Sequence, residues 1–350
     1  TLEPGQRVTR RFAITPEKAG SRRGRFELPG DSFPADDTFR FALHVQPKVN
    51  VLLVTGPDAD NPRENPGLYV RTALQAPNDA GGDRLSEQAQ RLARSLSVTA
   101  LPAAKLSQAA LDEADVLVLA DVPMSQNRGQ LVRQYLEAGH GTLILPGPSI
   151  TPDNYRKHLL AQGTASPPLA LGQATGDAED EATFQPVGSF QSRHPVLSAF
   201  DDQEREFFDT AQVYRHFPLE LPGERGSEPT GDAADRGTAE NPAGPRVLMR
   251  LADGTPLLAE ASLGRGRLLV AGFSAAPAWS NLPLKPEFVP LMLRAVTHLR
   301  PEPEVQAPSA VAPGEPAAIR LTGQWPEASA QAIDPQGRPH AIELRRDGPY

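Results

Sequence analysis

Hydrophobic positions in the middle of the chain follow two rhythms. Residues 116–119 are an uninterrupted apolar run between Asp115 and Asp121, as in a strand covered on both faces. Leu131, Val132, Tyr135 and Leu136 then recur at helical spacing, behind Ser125 as a helix cap. Gly139 stands where a C-cap glycine belongs, and residues 142–145 form a second buried run before Pro146-Gly147. Strand, helix and strand in this order close right-handed, which makes the two strands parallel.

The same patterns extend both ways. Residues 49–55 predict a buried strand that ends in Gly56-Pro57-Asp58. Leu68, Val70, Ala73 and Leu74 predict a helix behind Pro66, followed by a loop at 77–83, a short strand at 97–101 and a short helix at 106–114. Pro152 opens a helix to about Ala161, residues 192–200 make a compact apolar turn, and a strand is expected within 206–217. Residues 246–251, 256–261 and 266–272 read as three strands joined by hairpin turns at Asp253-Gly254 and 263–266. Phe288, Leu291, Met292, Ala295, Val296 and Leu299 form the apolar face of a closing helix that Pro301 ends. Residues 1–47, clearest at 39–45, alternate with period two and read as the last strands of a β-sandwich. The expected organisation is therefore that sandwich segment, then an α/β domain at 48–300 with a mostly parallel sheet. Flexible insertions are expected near 162–182 and 222–245, a Pro/Glu/Ala linker at 301–316, and the start of a second β-sandwich at 317–350.

Composition narrows the chemistry. The 350 residues include 37 prolines and 29 glycines, so loops and linkers take a large share. A net charge of −8 argues against a general nucleic-acid binder. With no cysteine, disulfides, thiolate metal sites and cysteine nucleophiles are all excluded. No apolar run approaches the length of about 18 residues that a membrane span needs. The chain starts at Thr1 without Met and stops at Tyr350 soon after a new strand pattern, so it is expected to be a piece of a longer protein. Arg7, Arg10, Arg11, Lys18, Arg22, Arg23 and Arg25 make the first segment basic. A solvated, edge-protecting charge pattern is preferred there over a surface for lipid headgroups or an acidic partner.

Ligands of open α/β sheets bind at the carboxyl ends of the strands. Thr55, Asp58, Asp121, Ser149 and Ser274 stand at those ends and are the candidate ligand-binding rim. The alternative is that Gly and Pro simply turn the chain there and the aspartates cap helices. Gly139-His140-Gly141 follows a helix and opens a strand, so it is a turn and not a phosphate cradle. Gly272-Phe273-Ser274-Ala275-Ala276 superficially resembles a nucleophile elbow, but Pro277 and Trp279 replace the helix that should follow. Glu287 and His298, which would have to complete a triad, fall on or near one short helix. The seven histidines are scattered without a His-Glu-x-x-His pair, so no metal site is expected. Asp177, Glu179, Asp180 and Glu181 can attract calcium or form a solvated loop, and the loop is preferred. Trp279, beside Asn281 and Pro283, is the best recognition candidate, with a lid over the core as the equal alternative. Arg265, at a hairpin tip, is a further candidate contact for a partner.

Several motifs, taken in order, resemble a known arrangement. They are Gly30-Asp-Ser-Phe-Pro-Ala-Asp-Asp37, Val51-Leu-Leu-Val-Thr-Gly56, Ala114-Asp-Val-Leu-Val-Leu-Ala-Asp121 and Tyr135-Leu-Glu-Ala-Gly-His-Gly-Thr-Leu-Ile-Leu-Pro-Gly147. His194-Pro195, Asp253-Gly-Thr-Pro-Leu-Leu258, Gly264-Arg-Gly266, Trp279-Ser-Asn-Leu-Pro283 and Phe288-Val-Pro-Leu291 continue the set. Over about residues 25–300 the chain resembles the extracytoplasmic C-terminal region of the bacterial BatA/von Willebrand-A-type membrane proteins. The resemblance implies an α/β domain of the class I glutamine-amidotransferase-like, flavodoxin-like kind, flanked by Ig-like β-sandwich segments. It brings no established activity. Amidotransferases carry a nucleophilic cysteine on the turn after a central strand, where this chain reads Leu145-Pro-Gly-Pro-Ser149. Ser149 follows Pro148 and lacks a Gly-x-Ser-x-Gly setting, so helix capping is its preferred role. The expectation is a non-catalytic interaction module without cofactor, in the periplasmic portion of a membrane-anchored protein. Its partners would be proteins of the cell envelope, and the membrane would be reached only through segments outside this piece. Two alternatives stay open: a small-ligand receptor or hydrolase-like enzyme using the rim, and a structural spacer between sandwich domains.

Overall fold

Every residue of Val116–Ala120 is buried, and hydrogen-bonded strands flank it on both sides. The computed structural model describes residues 18–27, 30, 37–45, 47–79, 87–160, 169–198, 200, 208, 210–221, 244–301, 305–306, 320–321, 330–333 and 338–342. The strand expected near residues 8–14, the basic residues Arg7, Arg10 and Arg11, and most of the stretch 222–245 lie outside them. The chain divides into Pro47–Pro301 and a second unit of Thr1–Gln46 with Glu302–Tyr350. In the second unit β1 (Gly20–Glu27) pairs antiparallel with β2 (Thr38–Val45), and Phe26 stacks on Phe41 at 5.1 Å. Val305–Gln306 pairs with Arg320–Leu321, and Ala330–Ile333 with Pro339–Ile342.

The larger unit runs β3 (Val49–Thr55), α1 (Pro66–Asp79), α2 (Glu87–Arg94), β4 (Leu96–Pro102), α3 (Gln108–Asp112), β5 (Val116–Ala120), α4 (Gln126–Glu137), β6 (Gly141–Leu145) and α5 (Pro152–Tyr155). Short strands follow: β7 (Ala170–Leu171), β8 (Thr175–Gly176), β9 (Gln185–Phe190), β10 (Gln212–Val213), β11 (Arg215–His216) and β12 (Leu219–Glu220). The unit closes with β13 (Arg246–Leu251), β14 (Pro256–Leu263), β15 (Gly266–Ala271) and α6 (Phe288–His298). Ser125 caps α4 as expected, its Oγ accepting from the Arg128 N–H.

One nine-stranded sheet orders these as β10-β9-β13-β14-β15-β6-β5-β3-β4. The five strands from β4 to β15 are parallel, and in order of appearance along the chain they read 2-1-3-4-5. This is a doubly wound order, and its reversal falls between β3 and β5. Beyond β15 the sheet continues antiparallel through β14, β13, β9 and β10. The sheet is therefore parallel in one half only, because hairpins add strands at the β15 side. The strands alternate between two cores. Leu53, Val118 and Leu143 face α1, α2 and α6, whereas Leu52, Leu117 and Ile144 face α3, α4 and α5. Helix α1 runs on through Pro77 into the expected loop, since the chain-breaking pair Gly81-Gly82 lies beyond it.

On the α6 side, Glu260 projects from β14 into the core and meets two histidines. Its Oε2 lies 3.1 Å from His194 Nε2 and its Oε1 lies 2.6 Å from His298 Nε2. The two imidazoles pack edge-on with centroids 4.7 Å apart. Burial works to raise the Glu260 pKa, but the hydrogen bonds and charge of the two histidines outweigh it and hold the carboxyl well below the usual range. The expectation of scattered histidines is thus corrected: the turn after β9, strand β14 and the end of α6 bring two of them onto one carboxylate.

The tightest packing lies at the switch point. Asp121 follows β5 with φ 55, a left-handed backbone that aspartate tolerates better than most residues. Its N–H donates to the Leu145 carbonyl and the Gly56 N–H donates to the Ala120 carbonyl, so the ends of β3, β5 and β6 are drawn together. A Cβ at Gly56 would lie 1.8 Å from the Asp121 carbonyl oxygen, and one at Gly147 would lie 2.7 Å from the Asp121 carboxyl carbon. The carboxylate accepts the Ser149 N–H at 2.8 Å. Burial raises its pKa to about 6 against the opposing Ser149 hydrogen bonds.

Two outcomes follow from this junction. Gly56→Ala forces a backbone clash and should lower stability by about 3 kcal/mol in urea unfolding. An effect below about 0.5 kcal/mol would show that the strand ends separate freely. Asp121 binds its proton more tightly when folded, so its stabilising contribution is present at low pH and disappears as pH rises through about 6. Relative to Asp121→Asn, the wild type should therefore gain up to about 3 kcal/mol as pH falls from 7 to 4. A flat difference between the two proteins across that range would contradict the burial of an ionised carboxylate.

Candidate functional site

The residues expected at the carboxyl-end rim do not converge on one cavity. Thr55 is half-buried at the end of β3, and Asp58 is exposed, accepting a hydrogen bond from Asn65 Nδ2 at 3.4 Å. Asp121 is 3% exposed, closed over by Gly147 and bonded to Ser149. Ser274 is fully buried; its Oγ accepts the Ala276 N–H at 3.2 Å and its carbonyl accepts the Ser280 hydroxyl at 3.3 Å. Of the five, only Asp121 and Ser149 meet, and they meet as a structural pair. The junction described above draws the strand ends together at the switch-point crevice.

A cleft of about 440 Å³ opens instead beside that crevice, over the ends of β6 and β15. Trp279 forms part of its wall. The indole is 5% exposed and packs on Phe217 with centroids 5.2 Å apart. The Arg215 guanidinium lies over the ring, its central carbon 4.9 Å from the centroid. Backbone geometry sets this stack, because the Trp279 carbonyl accepts both the Tyr214 N–H at 2.8 Å and the Arg215 N–H at 3.0 Å. Arg215 Nε is buried and has no hydrogen-bond partner among the described residues. Glu64, Asp177 and Glu179 ring the same cleft, so its mouth carries both signs of charge.

Trp279 belongs to the core, as the lid reading has it, and its ring also walls the cleft. Asn281 does not project as a contact. Its Oδ1 accepts the Gln212 N–H at 2.8 Å and its Nδ2 donates to the Thr210 carbonyl at 3.2 Å, which pins the segment leading into β11. Arg265 is exposed but tied back, donating to the Ala138 carbonyl at the end of α4, at the opposite end of the sheet. The acidic run is a folded turn: Asp177 accepts the Glu179 N–H, Asp180 accepts from Ala182 and Thr183, and Glu181 pairs with Arg63. Among the described residues these acids form no metal-type cluster. Arg215 was not singled out in the sequence. Its only signal there is its place in Tyr214-Arg215-His216-Phe217, where two aromatic residues bracket two basic ones inside an expected strand.

The cleft lining contains neither serine nor histidine among the described residues, so no hydroxyl nucleophile with a base faces it. The cleft thus combines an aromatic wall, a guanidinium and surrounding carboxylates.

No protein-family model and no curated protein matches the chain. Among solved structures it is similar to the cytoplasmic protein STM1381 from Salmonella typhimurium LT2, at 13% identity over 81% of this chain and 97% of that one, with a TM-score of 0.45. The cytoplasmic protein STM3548 from Salmonella typhimurium is similar at 12% identity with the same coverage and TM-score. A putative ThuA-like protein from Parabacteroides merdae is similar at 13% identity over 72% of this chain and 90% of that one, with a TM-score of 0.37. Likenesses this distant carry no activity across. The expectation of a membrane-anchored, periplasmic portion is corrected, since both Salmonella proteins are named cytoplasmic, and that placement is not carried further. Among the described residues no helix is long and apolar enough to cross a membrane.

Proposed function

We propose that the chain is a non-catalytic interaction module built on a flavodoxin-like, class I glutamine-amidotransferase-like domain, with Ig-like sandwich segments at its ends. The 2-1-3-4-5 order of the parallel strands supports the fold assignment. The resemblance to the BatA/von Willebrand-A group supports an assembly role over an enzymatic one. The observation that carries the function is the lining of the cleft, in which the Arg215 guanidinium lies over Trp279 while Glu64, Asp177 and Glu179 line the same space. A polypeptide segment fits this chemistry. A backbone carbonyl or a carboxylate would meet the Arg215 guanidinium at the cleft wall, while backbone amides or a basic side chain would meet Glu64, Asp177 and Glu179. Ser149 takes no catalytic part in this reading, because its N–H and hydroxyl both bond Asp121.

A second reading, a small-ligand receptor, is favoured by the cleft volume, which falls within the range of about 300–1,000 Å³ common to such sites. Peptide-display selection on the full chain separates the two. Peptides enriched on the wild type should lose at least about tenfold in affinity on Arg215→Glu, an effect of about 1.4 kcal/mol. Matching circular dichroism spectra would show that the variant stays folded. If no peptide is enriched and a metabolite instead raises the wild-type melting temperature but not that of Arg215→Glu, the receptor replaces the module. Silence in both screens would reduce the unit to a spacer.

A further inference from the structure

We propose that His194, Glu260 and His298 form a binding site for one divalent transition-metal ion of the zinc class, away from the cleft. Three separate elements converge on it: the turn after β9, the middle of β14 and the last turn of α6. One donor atom from each residue lies within 4.8 Å of the others. Two imidazole nitrogens and one carboxylate are the donor set that first-row divalent ions take, and zinc takes it with bonds of about 2.0–2.2 Å. Bonds of that length put tetrahedral ligand atoms about 3.4 Å apart. The Glu260 contacts, 3.1 Å from Oε2 and 2.6 Å from Oε1, must open toward that spacing, and the widest donor pair, within 4.8 Å, must close toward it.

The surroundings favour a held ion over a chance cluster. His194 has a side-chain exposure of 3%, while Glu260 and His298 keep 20% and 13%, so the donors are mostly walled in but reachable from one side. The loop that carries His194 is fixed from α6, where Arg294 donates to the Pro195 carbonyl and to Ser198 Oγ, both at 3.1 Å. Arg267 donates to the His298 carbonyl at 3.2 Å and ties the helix end to β15. The ion would staple the same three elements that the hydrogen bonds now join.

Loading moves protons. Each Nε2 now faces a Glu260 oxygen, and an ion there displaces its proton to Nδ1 or to solvent. At His298 the shift is simple. At His194 the Val196 N–H points at Nδ1 from 3.3 Å, a long contact that opens when Nδ1 carries the proton. Glu260 and His298 are therefore the primary ligands, and His194 completes the set.

Chelator-treated full chain would be titrated with zinc in competition with a chromophoric chelator. The wild type should retain one ion per chain, and His298→Gln and Glu260→Gln should each bind at least about tenfold more weakly. Circular dichroism checks that both variants are folded. A second measurement needs no variant: zinc added to wild type should shift the ring NMR signals of two histidines only. Those two would be assigned through the loss of one signal in His298→Gln and one in His194→Gln. The proposal is overturned if the wild type takes no zinc from the chelator, if folded variants bind as well as wild type, or if other histidine signals are the ones that move.

Discussion

The left-handed Asp121 at the end of β5 is the constraint on which the carboxyl-end face depends. Its N–H holds β6, the neighbouring Ala120 carbonyl holds β3, and its carboxylate holds the turn that leads into α5. Three strand ends can approach this closely only because Gly56 and Gly147 carry no side chain. A non-glycine residue in a sparsely populated backbone region costs about 1–3 kcal/mol, and the buried ionised carboxyl adds to that cost. Burial of the β3, β5 and β6 runs on both faces of the sheet offsets both, since Val54, Leu119 and Leu145 are fully enclosed. The same junction stands at the crevice where a doubly wound sheet usually admits its ligand. The open cleft is displaced toward β6 and β15, under Arg215 and Trp279.

The parallel half of the sheet was legible because each of its central strands is apolar on both faces, and continuous runs such as 116–119 and 142–145 have no other economical home. The β13–β14 and β14–β15 hairpins were legible from Asp253-Gly254 and Gly264-Arg265, which sit at tight turns. Helix α2 was not, since only Ala89, Leu92 and Ala93 mark its buried side among polar residues. Strand β9 was not, because Gln185–Phe190 contains Pro186 and Gly188 and buries only Val187 completely. Strands β7, β8 and β12 are two residues each, and their partners lie far away in sequence, so no local pattern announces them.

The site followed the same division. Trp279 stood out by residue type alone, but Arg215 acquires its meaning from the Trp279 carbonyl that orients it from sixty-odd positions away. Ring and carboxylate come together across comparable gaps in the histidine cluster, with 66 positions between His194 and Glu260 and 38 between Glu260 and His298. Motif spacing reads ligands that share one helix or one loop. It is blind to ligands that a sheet gathers from a turn, a strand and a helix end.

The turn after β6 also differs from an acyl-transfer turn in the donors it offers. Acyl-transfer sites stabilise a developing oxyanion with backbone N–H groups that are free and aimed outward. In Pro146-Gly147-Pro148-Ser149, Pro148 has no N–H to offer and the Ser149 N–H is already donated to Asp121. Replacing Ser149 with a cysteine would restore a nucleophile without restoring the donors, because the proline and the Asp121 bond would remain. At this turn the backbone and the carboxylate beneath it leave neither Pro148 nor Ser149 with a free outward N–H. What stays available on this face is the aromatic and charged wall beside it.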